Sequence, residues 1–255
     1  MYRKEVFLLA GSRITDLKYK LMVTELLNLA KDYYTYRELS QLIGLPETVL
    51  SRYVKGHVLP TIERAQDINL KLDTVMRLES EIQRRIRFDD LGYFDNTKVI
   101  SDTMLLERAV QQVVNKFAGQ RITKVLTPET DGIPLATLLA HRLSVPLVVA
   151  KKAREVGVGE FIEEVYIPSK SAMMMSFYVP RNMFRKGDCV LIVDDVIDSG
   201  ETQRALTNII RKAKSEVVGI YALMSIGREW KNKIEEIANC PIEVAYEVPQ
   251  KLRAD

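Results

Sequence analysis

The sequence predicts a mostly parallel α/β domain with helices on both faces of its sheet, preceded by a small all-α domain. Three observations carry this. Before about residue 90, apolar residues recur at helical spacing with little strand pattern. After Leu91, short apolar runs alternate with amphipathic stretches, as in a parallel sheet covered by helices. One of those runs, VLIVDDVIDSGETQRAL from Val190 to Leu206, is an apolar strand that ends in two adjacent carboxylates and feeds a glycine-containing turn and a helix.

The elements follow in order. Asp16 to Lys31 reads as a helix with Leu17, Leu21, Leu26 and Leu29 on one face. Arg37 to Ile43, Glu47 to Lys55 and Ile62 to Leu70 are short helices, separated by Gly44-Leu45-Pro46 and by Gly56 to Pro60. Asp67 to Arg87 is expected to continue as a charged connector helix. Glu79 interrupts its apolar seam, which argues against a long coiled coil. Three parts are expected: a small helical domain over 1–66, a connector over 67–90 and the α/β domain over 91–255. In the last, Thr103 to Phe117, Ile133 to Leu143, Thr202 to Lys214 and Trp230 to Asn239 are helical. Arg121 to Thr127, Pro146 to Lys151, Cys189 to Val193, Val217 to Ser225 and Ile242 to Val248 are strands. Phe161 to Ile167 and Met173 to Val179 are extended.

Composition sets wide bounds. The 255 residues are 47% hydrophobic and 28% charged, with net charge +3 and pI near 8.7. That charge neither requires nor opposes a nucleic-acid partner. Cys189 and Cys240 have no metal-ligand spacing and make no disulfide framework, which fits a reducing cytoplasm. No apolar run reaches the length of a membrane span. The segment MYRKEVFLLAGSR is too short and too charged for a signal peptide, so the mature chain is expected to begin here.

The opening strand has a chemical reading. Asp194 and Asp195 fall at its carboxyl end, where ligands bind in parallel sheets. Carboxylates only accept hydrogen bonds, which suits a sugar diol. The amides of the next helix, the hydroxyls of Ser199 and Thr202, and the close approach that Gly200 permits would cradle a phosphate. Diol plus phosphate is a ribose 5-phosphate. The bland alternative is a turn capped by Asp198 or Ser199.

This stretch, Asp194 to Thr202 with Asp198 at its variable position and Glu201 where any residue is allowed, resembles the 5-phosphoribosyl-1-pyrophosphate (PRPP) motif of type I phosphoribosyltransferases. The resemblance covers about Leu91 to Val248 and implies that family's fold. It implies that TPETDGIPLA, Thr127 to Ala136, is the pyrophosphate loop, with the amides of Thr130, Asp131 and Gly132 facing the ligand. It assigns Lys151, Lys152 and Arg154, in VPLVVAKKAREVG, to the same pyrophosphate. Paired lysines are more often simply solvated. YIPSKSAMMMSFYVP, Tyr166 to Pro180, resembles the family's closing loop and hairpin, though three methionines in a row more often signal core packing. Mg²⁺ is expected with PRPP rather than on a protein cage. Asp198 is the candidate general base, an N-cap being the equal alternative. The 6-oxopurine enzymes carry a base-reading lysine after the next strand, and YALMSIGREW has none. The loop and GIPLA are more like phosphoribosyltransferase-fold transcriptional regulators of the purine-operon-repressor kind.

In the helical part, Leu39, Ile43 and Leu50 around Gly44 have helix-turn-helix core spacing. LSRYVKGHVLPT resembles the Cro/repressor-type helix-turn-helix family. That resemblance makes Glu47 to Lys55 the recognition helix. Glu47, Thr48, Ser51 and Arg52 would face bases; Tyr53, Lys55, His57, Tyr36 and Arg37 would contact phosphates. A helical bundle for protein contacts is the alternative.

The expectation is a cytoplasmic, homodimeric DNA-binding regulator that senses PRPP or a related nucleotide and binds operator DNA. A working phosphoribosyltransferase acting on a purine or orotate is the second reading. A PRPP sensor that docks on another protein is the third.

Overall fold

A computed structural model describes residues 13–89, 94–167 and 173–249. The chain forms two compact units that divide between Glu81 and Ile82.

The first unit is helical. Its helices are α1 (Arg13–Ala30), α2 (Tyr36–Ile43), α3 (Glu47–Val54), α4 (Ile62–Val75) and α5 (Leu78–Arg85), the last crossing the division. Thr35 and Glu38 form a capping box at the start of α2. Gly44 ends that helix, and Lys71 on α4 donates to the Ile43 carbonyl at 2.8 Å, satisfying a helix-end acceptor. Leu39, Ile43, Leu50, Ile68 and Leu72 form the core, with each large side chain contributing roughly 1.5–3 kcal/mol by burial. Two expectations are corrected here. The buried face of α1 is Met22, Val23, Leu26, Leu27 and Ala30, while Leu17 and Leu21 are exposed. The connector is not one helix from Asp67 to Arg87: it breaks at Met76, whose φ of −116° and ψ of 56° leave the helical region.

The second unit holds a five-stranded, wholly parallel sheet. A short antiparallel pair, β1 (Arg87–Phe88) and β2 (Phe94–Asp95), comes first, then α6 (Thr97–Ile100) and α7 (Thr103–Lys116). Next are β3 (Lys124–Pro128), α8 (Ile133–Leu143) and β4 (Leu147–Ala150), followed by an antiparallel hairpin of β5 (Phe161–Tyr166) and β6 (Met175–Pro180). Then come β7 (Cys189–Ile197), α9 (Glu201–Lys212), β8 (Glu216–Ile226), α10 (Trp230–Glu235) and β9 (Ile242–Val248). The sheet order is β4-β3-β7-β8-β9. Central strands are buried on both faces: Leu126, Val190, Ile192 and Ile220 join Leu206, Ile209 and Ile210 of α9 in one core. The hairpin docks on the main sheet through paired backbone bonds between Lys151 and Tyr178.

Two further expectations change. β7 does not stop at Val193 but continues to Ile197, because β8 pairs with it as far as Ile197 and Ser225. Two of the three consecutive methionines are not core: Met173 and Met174 are 72% and 74% exposed, while Met175 is half-buried in β6. Pro168 to Ala172 of the expected closing loop lie outside the described residues, as do the first twelve.

Candidate functional site

The sheet order creates the site. From β3 the chain passes through α8 to β4 on one side, while β7 lies on the other side of β3. The loops after β3 and β7 therefore leave in opposite directions and open a crevice at the carboxyl ends of the strands.

The loop after β3 is held from both flanks. The Glu129 amide donates to the Ala150 carbonyl, and the Glu129 carboxylate accepts the Lys152 amide, both at 3.0 Å. The Glu129–Thr130 peptide is cis. At Gly132 a Cβ would stand 2.5 Å from Thr127 Oγ1 and 3.1 Å from Asp194 Oδ1. Only glycine lets the loop lie this close to β7. Thr130 and Asp131 are exposed at the rim.

Asp194 and Asp195 sit within the last residues of β7, on alternate faces. Asp194 is 4% exposed; its Oδ2 accepts Gln203 Nε2 at 2.7 Å and its Oδ1 accepts the Asp195 amide at 2.9 Å. Asp195 is less buried and accepts Asn96 Nδ2 at 2.6 Å. Burial raises the pKa of both carboxyls. The charge of Asp195 raises Asp194 further, and Asp131 adds to both. Of the pair, Asp194 is the one pushed well up.

The turn after β7 ends at Gly200, the N-cap of α9, whose φ of 82° is left-handed. A Cβ there would also lie 3.1 Å from Ile234 Cγ1. The N-cap residue is itself a glycine and has no side chain with which to cap α9. The first-turn amides of this twelve-residue helix have no carbonyl of their own helix to bond. Ser199 and Thr202 are half-buried beside them, and Glu201 lies 3.5 Å from Lys233 Nζ.

Two of the three basic residues after β4 have ion-pair partners. Lys151 pairs with Glu155. Arg154 pairs with Glu163 at 2.6 Å and lies 5.1 Å from the Tyr178 ring centroid. Lys152 is exposed, with no ion-pair partner for its ammonium among the described residues. Tyr166 stacks on Phe177 at 4.7 Å, and its pKa is raised by burial and by the charges of Asp194 and Glu129. Asn96, Glu129 and Gln203 were not singled out by sequence reasoning. Gln203 could have been, as a polar residue on the apolar side of α9; Asn96 leaves no trace in the pattern.

A crevice at the sheet's switch point is thus lined by a glycine-packed loop, strand-end carboxylates and a helix N-terminus. The phosphoribosyl transferase domain matches residues 98–251, and the chain belongs to that family. Xanthine phosphoribosyltransferase of Lactococcus lactis subsp. cremoris strain SK11 is 33% identical over 121 residues, 47% of this chain and 61% of the relative. The chain thus matches about three-fifths of the length of such relatives. The purine biosynthesis transcriptional repressor PurR of Bacillus subtilis strain 168 is 29% identical over 133 residues, 52% of this chain and 47% of that one. Adenine phosphoribosyltransferase of Trypanosoma brucei shares the fold, with a TM-score of 0.63 at 18% identity, over 70% of this chain and 82% of that one.

In the helical unit, Glu47, Thr48, Arg52, Lys55, His57 and Arg37 are exposed, while Ser51, Tyr53 and Tyr36 are half-buried. Glu47, Thr48, Ser51 and Arg52 share the outer side of α3, opposite buried Leu50. Lys31 Nζ lies 4.2 Å from the Tyr36 ring centroid. At the start of α2, Glu38 accepts the Thr35 amide at 2.7 Å, and its bonds to Thr35 lower the Glu38 pKa. No described helix is long and apolar enough to cross a membrane.

Proposed function

We propose that this chain is a DNA-binding transcriptional regulator whose phosphoribosyltransferase-fold domain senses PRPP or a related nucleotide. The observation that carries the reading is the outward face of α3, with Thr48, Ser51 and Arg52, following a capped α2 and a three-residue turn and preceding a PRPP-type crevice in the same chain. The PurR relative supports it. In this reading residues 1–66 are the DNA-binding domain, 67–90 the connector and 91–255 the sensor. Glu47, Thr48, Ser51 and Arg52 read bases; Tyr36, Arg37, Tyr53, Lys55 and His57 meet phosphates.

In the crevice, Asp195 accepts the ribose hydroxyls and Asp194 buttresses the loop. The amides of Thr130, Asp131 and Gly132 meet the pyrophosphate, with Lys152 the available cation and Lys151 and Arg154 recruited from Glu155 and Glu163. Ser199, Gly200, Glu201 and Thr202 form the phosphate turn. Mg²⁺ would neutralise pyrophosphate charge when bound. The exposed Asp131 carboxylate is a hard oxygen donor that fits one position of an ion otherwise held by ligand oxygens.

The test is selection of genomic DNA fragments by the full chain, with and without PRPP and Mg²⁺. A palindromic site whose enrichment shifts with PRPP is expected. Arg52→Ala should then cost about 1–3 kcal/mol at that site and relax one base position; an equal loss on all sequences would make Arg52 a phosphate contact. Absence of any enriched site would overturn the reading.

The xanthine phosphoribosyltransferase relatives favour a second reading, transfer of the 5-phosphoribosyl group from PRPP to a purine. Displacement at C1 passes through an oxocarbenium-like state, where positioning and charge stabilisation do most of the work. Asp198, in the turn after β7, would take the proton of the incoming base. Pyrophosphate release, assayed across the nucleobases, separates the two readings.

A further inference from the structure

We infer that Asn96 is a positioning residue for the ligand carboxylate, and that through it the occupancy of Asp195 sets the state of the last turn of α5. The inference rests on Asp195 being a PRPP-binding group. The Asn96 amide donates to Asp195 Oδ2 at 2.6 Å across 99 residues of chain. A neutral donor on a carboxylate is charge-assisted and fixes the carboxylate plane. A diol on Asp195 draws on the same oxygens, so ligand state and the Asn96 bond are thermodynamically linked.

The Asn96 main chain is pinned on both sides. Its carbonyl accepts the amides of Val99 at 2.7 Å and Ile100 at 3.1 Å, while the Asp95 carboxylate accepts the Thr97 amide at 2.9 Å. A displacement that Asp195 imposes on the Asn96 main chain would therefore be carried by β2 and α6 as a unit. That unit leads to α5 by two ties. Asp95 and Phe94 pair with Arg87 and Phe88, and the Arg87 guanidinium donates to the Arg84 carbonyl at 2.7 Å. Just beyond α6, Asp102 caps α7 through the Leu105 amide and takes Arg85 Nε at 2.9 Å. The segment from Asn96 to Asp102 thus touches the ligand carboxylate at one end and α5 at the other. α5 crosses the division between the units, so a signal delivered there reaches the helical unit along the chain itself.

The experiment is hydrogen–deuterium exchange on the full chain at saturating PRPP and Mg²⁺, read at the amides of Leu78 to Arg85. Wild type is expected to change its exchange there by at least about fivefold on binding PRPP. Asn96→Ala should bind PRPP about fivefold to tenfold more weakly and, once saturated, lose the α5 response, with partial return in Asn96→Gln. Arg85→Gln should keep PRPP affinity within about twofold and also lose the response. Wild type that binds PRPP with α5 unchanged overturns the coupling and leaves the ligand site standing. Wild type that does not bind PRPP overturns the site itself. An undiminished response in saturated Asn96→Ala removes Asn96 from the path.

Discussion

Asp194 and Asp195 are chain neighbours with different tasks. Both oxygens of Asp194 are engaged, by Gln203 and by the Asp195 amide, under the cover of Gly132. Asp195 is the more open of the two. Asp195→Asn should therefore weaken PRPP binding at least about tenfold, by loss of a charged acceptor, in a calorimetric titration. Asp194→Asn should act on stability instead. Burial, with the charge of Asp195, raises the folded pKa of Asp194 well above its ordinary 3.8. The native state then holds a proton that the unfolded chain has lost, so stability falls as pH rises from the ordinary value through the folded one and is flat above it. Melting of the ligand-free protein from pH 4 upward should show that fall, and Asp194→Asn should remove most of it. The two acids were legible in the sequence because strand and acid pair are contiguous. Asn96 was not, since a hydrogen bond spanning 99 residues leaves no periodicity, and Gln203 shares a helix with its motif but not a spacing rule.

Elements were legible where local pattern decides them, and illegible where a partner does. α8 and β9 fall where periodicity puts them. β7 outruns its apolar core because β8 continues to pair with it past two carboxylates, and hydropathy carries no information about that partner. The face of α1 was misread because Leu17 and Leu21 fit a helical stripe as well as Met22 and Val23 do; packing against α3 and α4 selects between them. The turn into α9 is set by Gly200, left-handed and 3.1 Å from Ile234 at its would-be Cβ. Gly200→Ala should cost about 1–2 kcal/mol for the left-handed backbone alone, read by urea unfolding, and should lower PRPP affinity in parallel. An unchanged midpoint would mean the turn relaxes freely.

At the scale of the molecule, a helix-turn-helix regulator binds paired half-sites as a symmetric dimer. Sedimentation should give a dimer. Each helical unit offers two cationic phosphate contacts, Arg37 and Lys55, both exposed. Two such units neutralising one phosphate per cation give a slope of about −4 in log affinity against log salt. A slope near zero would remove these side chains from the DNA interface. The sheet order has a consequence for the covalent chain. β3 and β7 lie side by side, yet the loops they carry are joined only through β4 and the β5–β6 hairpin. A chain nicked at the exposed Gly157–Gly159 turn puts one half of the crevice on each fragment. PRPP, bridging the two, would then act as the stitch, and fragment reassembly would become a gauge of the metabolite.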